Sequence, residues 1–454
     1  MPPTTSKPWI SSMANVTSIA VHFAHARWRW SHLQAADLER YQDQRAQRLV
    51  AYVAGHSPFY RSHWAGQNLA DWRALPTVDK QTMMDNFSTF TTQGISKESA
   101  LQVALQAEQS RDFRPLLNGF TVGLSSGTSG HRGLFIASPQ EQAAWAGTVL
   151  ARTLHDLRLR RLRVAFFLRS NNNLYEQVGK GLIQFRYFDL MLPLAEAVDR
   201  LNALQPHILI GPPSLLSFLA DERRAGRLRI QPERLISVAE VLELQDQEHL
   251  QTIFDVPVHQ IYQCTEGFLA ASCLKGTLHI QEDIVALQFE PLPGGSENRV
   301  TPIVTDLWRR TQPIIRYRLN DILQLDPAPC PCGSPFRAIR TIEGRNDDVC
   351  YFTSSTGQPR PFFPDTIRRM ILLASPCIAD YQAIQLVYGQ LDIYLSVIPG
   401  ASFATVEQSV QASVATTLAQ YACLPAKLQI VEGLPVLPAG KKRRRVQKSQ
   451  NVAL

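Results

Sequence analysis

The sequence predicts an α/β protein with a large N-terminal domain of mostly parallel, helix-covered sheets and a small C-terminal α+β domain. A chain of 454 residues is longer than one hydrophobic core usually supports. Within residues 163–264, short apolar runs alternate with amphipathic stretches, which is typical of strands joined by helices in a parallel sheet. The composition changes after about residue 345, and we place the domain boundary there.

The elements of the large domain follow one another along the chain. Residues 14–75 have a helical pattern. Apolar runs predict strands at 163–168, 186–192, 207–211, 234–240 and 258–264. Amphipathic stretches between them predict helices at 194–204, 214–226 and 243–254. Ser214 is expected to cap the second of these helices, and Gly226 is expected to end it.

The predicted bounds are 14–345 for the large domain and 348–454 for the small one. The segment TSSTGQPRPFFP at 353–364 has the composition of a turn-rich connector. Beyond it, the pattern predicts two strands, a helix and a final strand, at 384–397, 403–421 and 427–434.

The charge pattern bears on the class of partner. The formal net charge is +7, but the tail KKRRRVQK at 441–448 alone carries six basic residues and no acid. The rest of the chain is nearly neutral, which argues against nucleic-acid binding except through this tail. No apolar run reaches the roughly 18 residues of a membrane helix, and the N-terminus has no signal-peptide layout. We therefore expect a cytoplasmic protein that does not enter membranes, with Met13 as an alternative start.

The stretch GLSSGTSGHRGLF at 123–135 places four glycines and four hydroxyl side chains between two apolar runs. Glycines allow positive φ, so successive N–H groups can form a concave anion site to which the hydroxyls add donors. A Walker A loop is excluded because GK[ST] is absent and a strand is predicted to follow. Two interpretations remain, a polyphosphate-binding loop and an exposed flexible hairpin.

The seven cysteines, an odd number, indicate free thiols or a metal site in place of a disulfide framework. Cys273 and His279 flank a predicted turn, and Cys330 and Cys332 lie in the Pro-rich stretch DPAPCPCGS. Three thiolates and one imidazole can close a tetrahedral site for structural Zn²⁺. The alternative is a chance grouping of these residue types.

Four further motifs follow the hairpin in order, YQCTEG (262–267), TDLWRRTQPIIRYRLND (305–321), EGRNDD (343–348) and PAGKKRRRV (438–446). Together the five motifs resemble those of the adenylate-forming superfamily of acyl-CoA synthetases and ligases. The resemblance is greatest to the branch that contains phenylacetate–CoA ligases and the synthetase that adenylylates a deazaflavin coenzyme. It implies the adenylate-forming enzyme fold, and some members of that branch carry a zinc knuckle similar to the cysteine pattern above.

The resemblance implies roles for residues of the large domain. The β- and γ-phosphates of ATP would contact Ser125, Ser126, Gly127, Thr128, Ser129 and Gly130. Tyr262 would stack on adenine, Thr265 would bind the α-phosphate, and Glu266 would bind Mg²⁺. Without the resemblance, Tyr262 would be a core residue and Glu266 a solvated acid. The family often has Lys and then Pro where this chain has His131 and Arg132.

Other implied contacts lie nearer the domain boundary. Glu240, preceded by Ala where the family has Gly, corresponds to a turn near the adenine. Asp321 resembles the acid that binds the ribose hydroxyls, and Arg345 an arginine that contacts the ribose or phosphate. Asp347 resembles the hinge between the domains. Asn320 replaces a family glycine, and we expect it to adopt the left-handed conformation that Asn tolerates.

The basic tail has two interpretations. As a run of charge it is a solvated or nucleic-acid-seeking end. In the family, a Gly–Lys pair near the C-terminus delivers a lysine to the α-phosphate and the carboxylate, and Gly440–Lys441 fits this pattern. Lys441 is then a catalytic residue, since an ammonium placed where negative charge develops stabilises the transition state. Lys442 is the alternative.

The predicted activity is ATP-dependent activation of a carboxylic acid as an acyl-adenylate, followed by transfer to a thiol such as coenzyme A. Aromatic residues in 163–176 and 184–190 favour an aryl acid, although buried strands are rich in aromatic residues anyway. The implied cofactors are ATP, Mg²⁺, coenzyme A and structural Zn²⁺. The partners are a small carboxylic acid and a thiol or amine acceptor, with a homodimer left open. The alternatives are an adenylyltransferase that attaches AMP to a small molecule without a thioester, and a non-catalytic nucleic-acid-binding protein that uses the tail.

Overall fold

A computed structural model describes residues 8–112, 116–125, 133–154, 161–168, 183–190, 192–292, 298–435, 444–449 and 452, excepting the side chains of 8–15 and 365. The chain divides into two compact units. Unit 1 comprises residues 1–289, 303–319 and 325–340, and unit 2 comprises residues 290–302, 320–324 and 341–454. The domain bounds at 345 and 348, and the hinge at Asp347, stay predictions.

The helices before residue 345 are α1 (Pro8–His32), α2 (Ala35–His56), α3 (Pro58–His63), α4 (Lys80–Asp85), α5 (Phe87–Phe90), α6 (Lys97–Ser110), α7 (Pro139–Thr153), α8 (Leu194–Leu204), α9 (Pro213–Arg224) and α10 (Leu244–Phe254). The strands are β1 (Thr121–Leu124), β2 (Leu134–Ala137), β3 (Leu162–Leu168), β4 (Ile183–Asp189), β5 (Ile208–Gly211), β6 (Arg234–Val238), β7 (Val258–Cys264), β8 (Gly267–Ser272), β9 (Leu278–Ile280), β10 (Val285–Pro291), β11 (Arg299–Asp306), β12 (Tyr317–Arg318), β13 (Asp321–Asp326) and β14 (Ala338–Arg345). The later elements are a 3₁₀ turn (Asn346–Asp348), β15 (Cys350–Thr353), β16 (Pro359–Phe362), α11 (Pro364–Leu372), β17 (Ile378–Gln385), β18 (Gln390–Val397), α12 (Phe403–Gln420), β19 (Lys427–Glu432) and β20 (Val446–Lys448). Among the described helices, none combines the length and apolar character needed to cross a membrane, and the cytoplasmic location stays a prediction.

Five strands of unit 1 form a parallel sheet in the order β4-β3-β5-β6-β7. This confirms the parallel arrangement predicted from the alternation of strands and helices. β8, β9 and the start of β14 extend the sheet through antiparallel pairs. The antiparallel extension was not predicted, because β8 and β9 follow β7 through short turns and no helical stretch marks them.

Helices cover both faces of the parallel sheet. On one face, α8, α9 and α10 contribute Leu201, Leu216 and Leu250 to a buried apolar cluster. On the other face, Leu150 and Leu154 at the end of α7 pack against the strands. Since neither face is open to water, β5 is buried along its whole length.

Unit 2 contains a four-stranded sheet in the order β19-β18-β17-β20, with α11 and α12 contributing to its core. Two expectations change here. The supposed connector at 353–364 contains most of the hairpin β15–β16. Gly357, with φ 82°, marks the tight turn between the strands, and Pro359 and Pro361 lie within β16. The end of the basic tail forms β20, in which Val446 pairs with Ala383 of β17 in parallel.

Candidate active site

β1 and β2 form the Gly/Ser hairpin (residues 121–137), whose loop is the glycine- and serine-rich stretch. Gly123 pairs with Phe135 across the strands, and any Cβ at position 123 would collide with the ring of Phe135. At the base of the loop, Ser125 N donates to Gly133 O and Gly133 N donates to Ser125 Oγ, both over 2.7 Å. The predicted phosphate contacts Ser126 to Gly130 lie outside the described residues. The strand predicted after the loop is confirmed.

Lys80 of α4 lies beside the base of this hairpin. The carboxylate of Asp79 caps α4 by accepting a hydrogen bond from Thr82 N over 2.8 Å. A Cβ placed on Gly133 would lie 3.2 Å from Cε of Lys80. The end of the Lys80 side chain therefore lies beside Gly133, at the base of the hairpin loop, a position that its local sequence does not indicate.

The turn between β7 and β8 carries Thr265 and Glu266. Thr265 Oγ1 donates to Glu266 Oε2 over 2.9 Å, and Glu266 is only 8% exposed. Burial, and then the charge of Glu266, raises the pKa of Tyr317. Glu266 is thus a buried carboxylate whose hard oxygen ligands suit Mg²⁺. Tyr262 of β7 is 9% exposed, and its stacking on adenine stays a prediction.

Arg309 spans the Gly/Ser hairpin and the Thr265 turn. Its Nη1 donates to the carbonyl oxygen of Thr265, and its Nη2 lies 3.4 Å from the carbonyl oxygen of Ile136 in β2. The hairpin and the Thr265 turn therefore lie within reach of one guanidinium. Arg309 lies in the motif at 305–321, but nothing in the sequence distinguishes it from the arginines beside it.

The end of β6 leads into the turn that carries Glu240. Ala239 has φ 71°, a left-handed conformation that strains alanine and suits glycine, in agreement with the correspondence to a Gly–Glu turn. Glu240 Oε2 accepts a hydrogen bond from Ser214 N over 3.3 Å.

The prediction that Ser214 caps α9 is wrong, because the helix begins one residue earlier and Pro212 occupies the cap position. Gly226 follows the helix with φ 74°, as predicted.

Four of the residues named from the resemblance lie in unit 2, in two pairs. Arg345 Nε is 3.6 Å from Asp321 Oδ1, and Asn320 Nδ2 donates to Asp347 Oδ2. Asn320 does not adopt the expected left-handed conformation. Four residues earlier, Arg316 has φ 49°, so the chain takes its positive-φ step before the position where the family has glycine.

The arginines of the tail form ion pairs within unit 2. Arg444 Nε is 3.1 Å from Asp348 Oδ2, and Arg445 Nε is 2.9 Å from Asp380 Oδ1. Burial raises the pKa of Asp348 to about 6, although the charge of Arg444 opposes this. Lys441 lies outside the described residues, so its role stays a prediction.

The cysteine–histidine cluster (Cys273, His279, Cys330 and Cys332) is brought together in unit 1, with all ligand atoms within 4.8 Å of one another. The Sγ atoms of Cys273 and Cys330 are 3.8 Å apart, and Nε2 of His279 is 3.4 Å from Sγ of Cys332. Ligands about 2.3 Å from a tetrahedral Zn²⁺ would be about 3.7 Å apart. The spacing and the donor types therefore fit zinc.

The surroundings of the cluster orient its ligands. Nδ1 of His279 is 2.7 Å from the carbonyl oxygen of Phe336. Because a carbonyl can only accept, Nδ1 carries the proton and Nε2 presents its lone pair to the thiols. Burial raises the pKa of Cys332 to about 12. Burial acts on Cys330 in the same sense, but hydrogen bonds to its sulfur bring its pKa down to about 6. Each of the three sulfur atoms has a backbone N–H group two residues further on at 3.3 to 3.5 Å.

No protein-family profile matches the sequence, and no curated protein matches it. Among solved structures, it is similar to 2-hydroxyisobutyryl-CoA ligase in the postadenylation state with 2-HIB-AMP, with a TM-score of 0.69 and 19% identity over 92% of this chain and 91% of that chain. An open conformation of that ligase, with 2-HIB-AMP and CoA, gives a TM-score of 0.58 at 19% identity, covering 91% and 92%. Anthranilate CoA ligase with anthranoyl-AMP gives 0.50 at 13% identity, covering 72% and 66%. These similarities establish the fold as that of the adenylate-forming acyl-CoA ligases. The phenylacetate–CoA ligase branch stays a prediction.

Proposed function

We propose that this protein is an ATP-dependent acid–thiol ligase. A substrate carboxylate attacks the α-phosphate of ATP, forming an acyl-adenylate and releasing pyrophosphate. The thiol of coenzyme A then attacks the acyl carbon, forming a thioester and releasing AMP. The observation that carries the proposal is the placement of the Gly/Ser hairpin and the Thr265 turn within reach of Arg309, in a fold shared with ligases solved with acyl-AMP.

The residues of unit 1 suit the first step. By the resemblance, the loop that follows Ser125 would supply backbone N–H groups for the β- and γ-phosphates. Lys80 adds a positive charge beside Gly133, at the base of the hairpin. The hydroxyl of Thr265, which donates to Glu266 Oε2 in this structure, would turn to donate to the α-phosphate when ATP is bound. Glu266 would hold Mg²⁺, which neutralises phosphate charge when bound. Lys441 would approach the α-phosphate from the tail.

Pyrophosphate–ATP isotope exchange across a panel of acids tests this proposal. The panel should contain 2-hydroxy, aryl and straight-chain aliphatic acids. We expect exchange that depends on one class of acid, and thioester formation only when coenzyme A is added. An adenylylated product that accumulates and does not respond to any thiol would favour the adenylyltransferase alternative. No exchange with any acid would contradict acid activation.

The preference for an aryl acid rests on aromatic residues whose described members largely belong to the core. Phe167 and Phe188 stack with ring centroids 4.7 Å apart and are almost fully buried. They fill the space between sheet and helices, as aromatic residues of buried strands commonly do. We therefore propose a small carboxylic acid as the substrate. The acid panel will show whether that acid is aromatic or aliphatic.

The nucleic-acid alternative rests on the tail, and the contacts of the tail disfavour it. Arg444 and Arg445 are paired with carboxylates, and the next three residues form β20. Charges paired within the protein contribute little to phosphate binding. Salt-sensitive DNA or RNA binding that is lost on replacing Lys441 and Lys442 would nevertheless favour this alternative.

The cysteine–histidine cluster is proposed to hold a structural Zn²⁺. All four positions are occupied by protein ligands, which is the pattern of closed structural sites. Elemental analysis of protein purified without added metal should give about one zinc per chain. Purified protein that is folded and free of zinc would contradict the proposal.

A further inference from the structure

The segment after β11 links the Gly/Ser hairpin to the Thr265 turn. Asp306, the last residue of β11, fixes the start of this segment. Its Oδ1 accepts hydrogen bonds from Trp308 N (2.9 Å) and Arg309 N (3.2 Å). Glu141 Oε1 holds the following residues by accepting from Arg310 N (2.6 Å) and Thr311 N (2.8 Å). The backbone that presents Arg309 is therefore fixed from two sides.

Gln312, which is 1% exposed, pairs with β2 as a neighbouring strand would. Its Oε1 accepts from Ile136 N over 2.9 Å, and its Nε2 donates to Leu134 O over 3.1 Å. Arg309 Nη2 donates to the same Oε1 over 2.8 Å. The side-chain amide of Gln312 thus holds the hairpin, and Arg309 connects it to the carbonyl oxygen of Thr265.

We propose that Arg309 and Gln312 are positioning residues that set the spacing between the Gly/Ser hairpin and the Thr265 turn, and that this spacing determines recognition of ATP. The inference rests on the proposed function. Three contacts of the Arg309 guanidinium are with protein oxygens, so it acts through the hairpin and Thr265. The β- and γ-phosphates leave as pyrophosphate, so the hairpin has a ligand only in the first half-reaction.

Arg309 and Gln312 should therefore affect the binding of ATP, and not that of AMP or the acyl-adenylate. Gln312→Leu removes both hydrogen bonds to β2, and Arg309→Lys keeps the charge but cannot reach three acceptors at once. Arg310→Lys is the matched control, because the Arg310 guanidinium packs on the ring of Tyr52. A second variant, Gln312→Glu, keeps the size and the acceptor but loses the donor to Leu134 O.

Calorimetric binding of ATP and of AMP to the full chain tests the inference directly. We expect Gln312→Leu and Arg309→Lys to weaken ATP binding about tenfold and AMP binding less than about twofold, as expected for loss of hydrogen bonds that support a charged ligand. Gln312→Glu should lie between these variants and the wild type. Equal loss for ATP and AMP, or no loss in any variant, would overturn the inference.

The half-reactions give the second readout. The KM for ATP in pyrophosphate exchange should rise in the two variants, while thioester formation from a supplied acyl-adenylate stays within about twofold of wild type. A wild-type protein that binds ATP selectively but catalyses no exchange would contradict the proposed function and leave the positioning role intact. Equal loss of both half-reactions, together with a lower melting temperature, would reduce the two residues to a structural role.

Discussion

The cysteine–histidine cluster and the Gly/Ser hairpin are held in place in different ways. Each sulfur of Cys273, Cys330 and Cys332 has a backbone N–H partner only two residues further on. The hairpin, in contrast, is held by Gln312, which is 176 residues away from Ile136 in the sequence. The cluster is supported locally, and the hairpin depends on distant segments. Substitutions in the cluster should therefore lower the free energy of unfolding. Substitutions around the hairpin should instead weaken the binding of ATP.

The largest effect is expected for Lys441 in the basic tail, which would change the rate of acyl-adenylate formation and not the stability of the protein. Lys441→Ala should slow acyl-adenylate formation by about 10² to 10³-fold, because it removes a charge aimed at the transition state. Thioester formation from a supplied acyl-adenylate should stay within about threefold of wild type. Single-turnover measurements of the two half-reactions check this, with Lys442→Ala as the control. Equal slowing of both steps would exclude Lys441 from this role.

Loss of a cluster ligand should lower the free energy of unfolding. Cys332→Ser should destabilise the protein by at least about 3 kcal/mol, because it removes one of four ligands that hold the metal and the two turns together. Thermal unfolding and zinc content measure the effect, and Cys423→Ser outside the cluster is the control. An unchanged melting temperature with the zinc lost would show that the cluster does not support the fold.

Lys80 provides a test at the hairpin. Lys80→Met keeps most of the apolar stem but removes the charge, so the KM for ATP should rise about tenfold at an unchanged melting temperature. Lys427→Met, on an exposed position of β19, should change neither quantity. A fall in melting temperature with an unchanged KM would reverse the expected division between stability and recognition.

The smallest effect concerns the strained turn beside Glu240. Ala239→Gly should raise the free energy of unfolding by about 0.5 kcal/mol, since relief of the left-handed strain exceeds the entropy that glycine adds to the unfolded chain. Ala225 has φ −75°, so Ala225→Gly should instead destabilise by about 0.5 to 1 kcal/mol. Chemical denaturation of both variants measures the difference. The same sign for both would show that Ala239 carries no strain.

Sequence patterns with a local cause were predictable. The alternation around β3 to β7 and the strand after the Gly/Ser loop each depend on residues close together in the chain. The cysteine–histidine cluster joins residues as far apart as Cys273 and Cys330, but the metal-binding residue types beside turns marked its members in the sequence. The contacts of Gln312 with β2 and of Arg309 with Thr265 were not predictable, because a lone polar residue in a motif does not reveal its partner. The cap of α9 was missed for the same reason, since Ser214 N donates to Glu240, which lies in the turn after β6. A run of solvated charge was one of the two interpretations of the tail. The pairing of its arginines with Asp348 and Asp380 was not predictable, because it needs the folded sheet.

Trp30 lies close enough to the cysteine–histidine cluster for its fluorescence to report on metal binding there. Its indole ring lies edge-on to His279 at 5.7 Å and to Phe336 at 5.1 Å between centroids. Indole emission responds to nearby polar and ionic groups, so titration with a chelator should change the fluorescence of the wild type. A Trp30→Phe variant would remove that optical signal while leaving the thiols in place, and metal occupancy could then be followed in solution without a label.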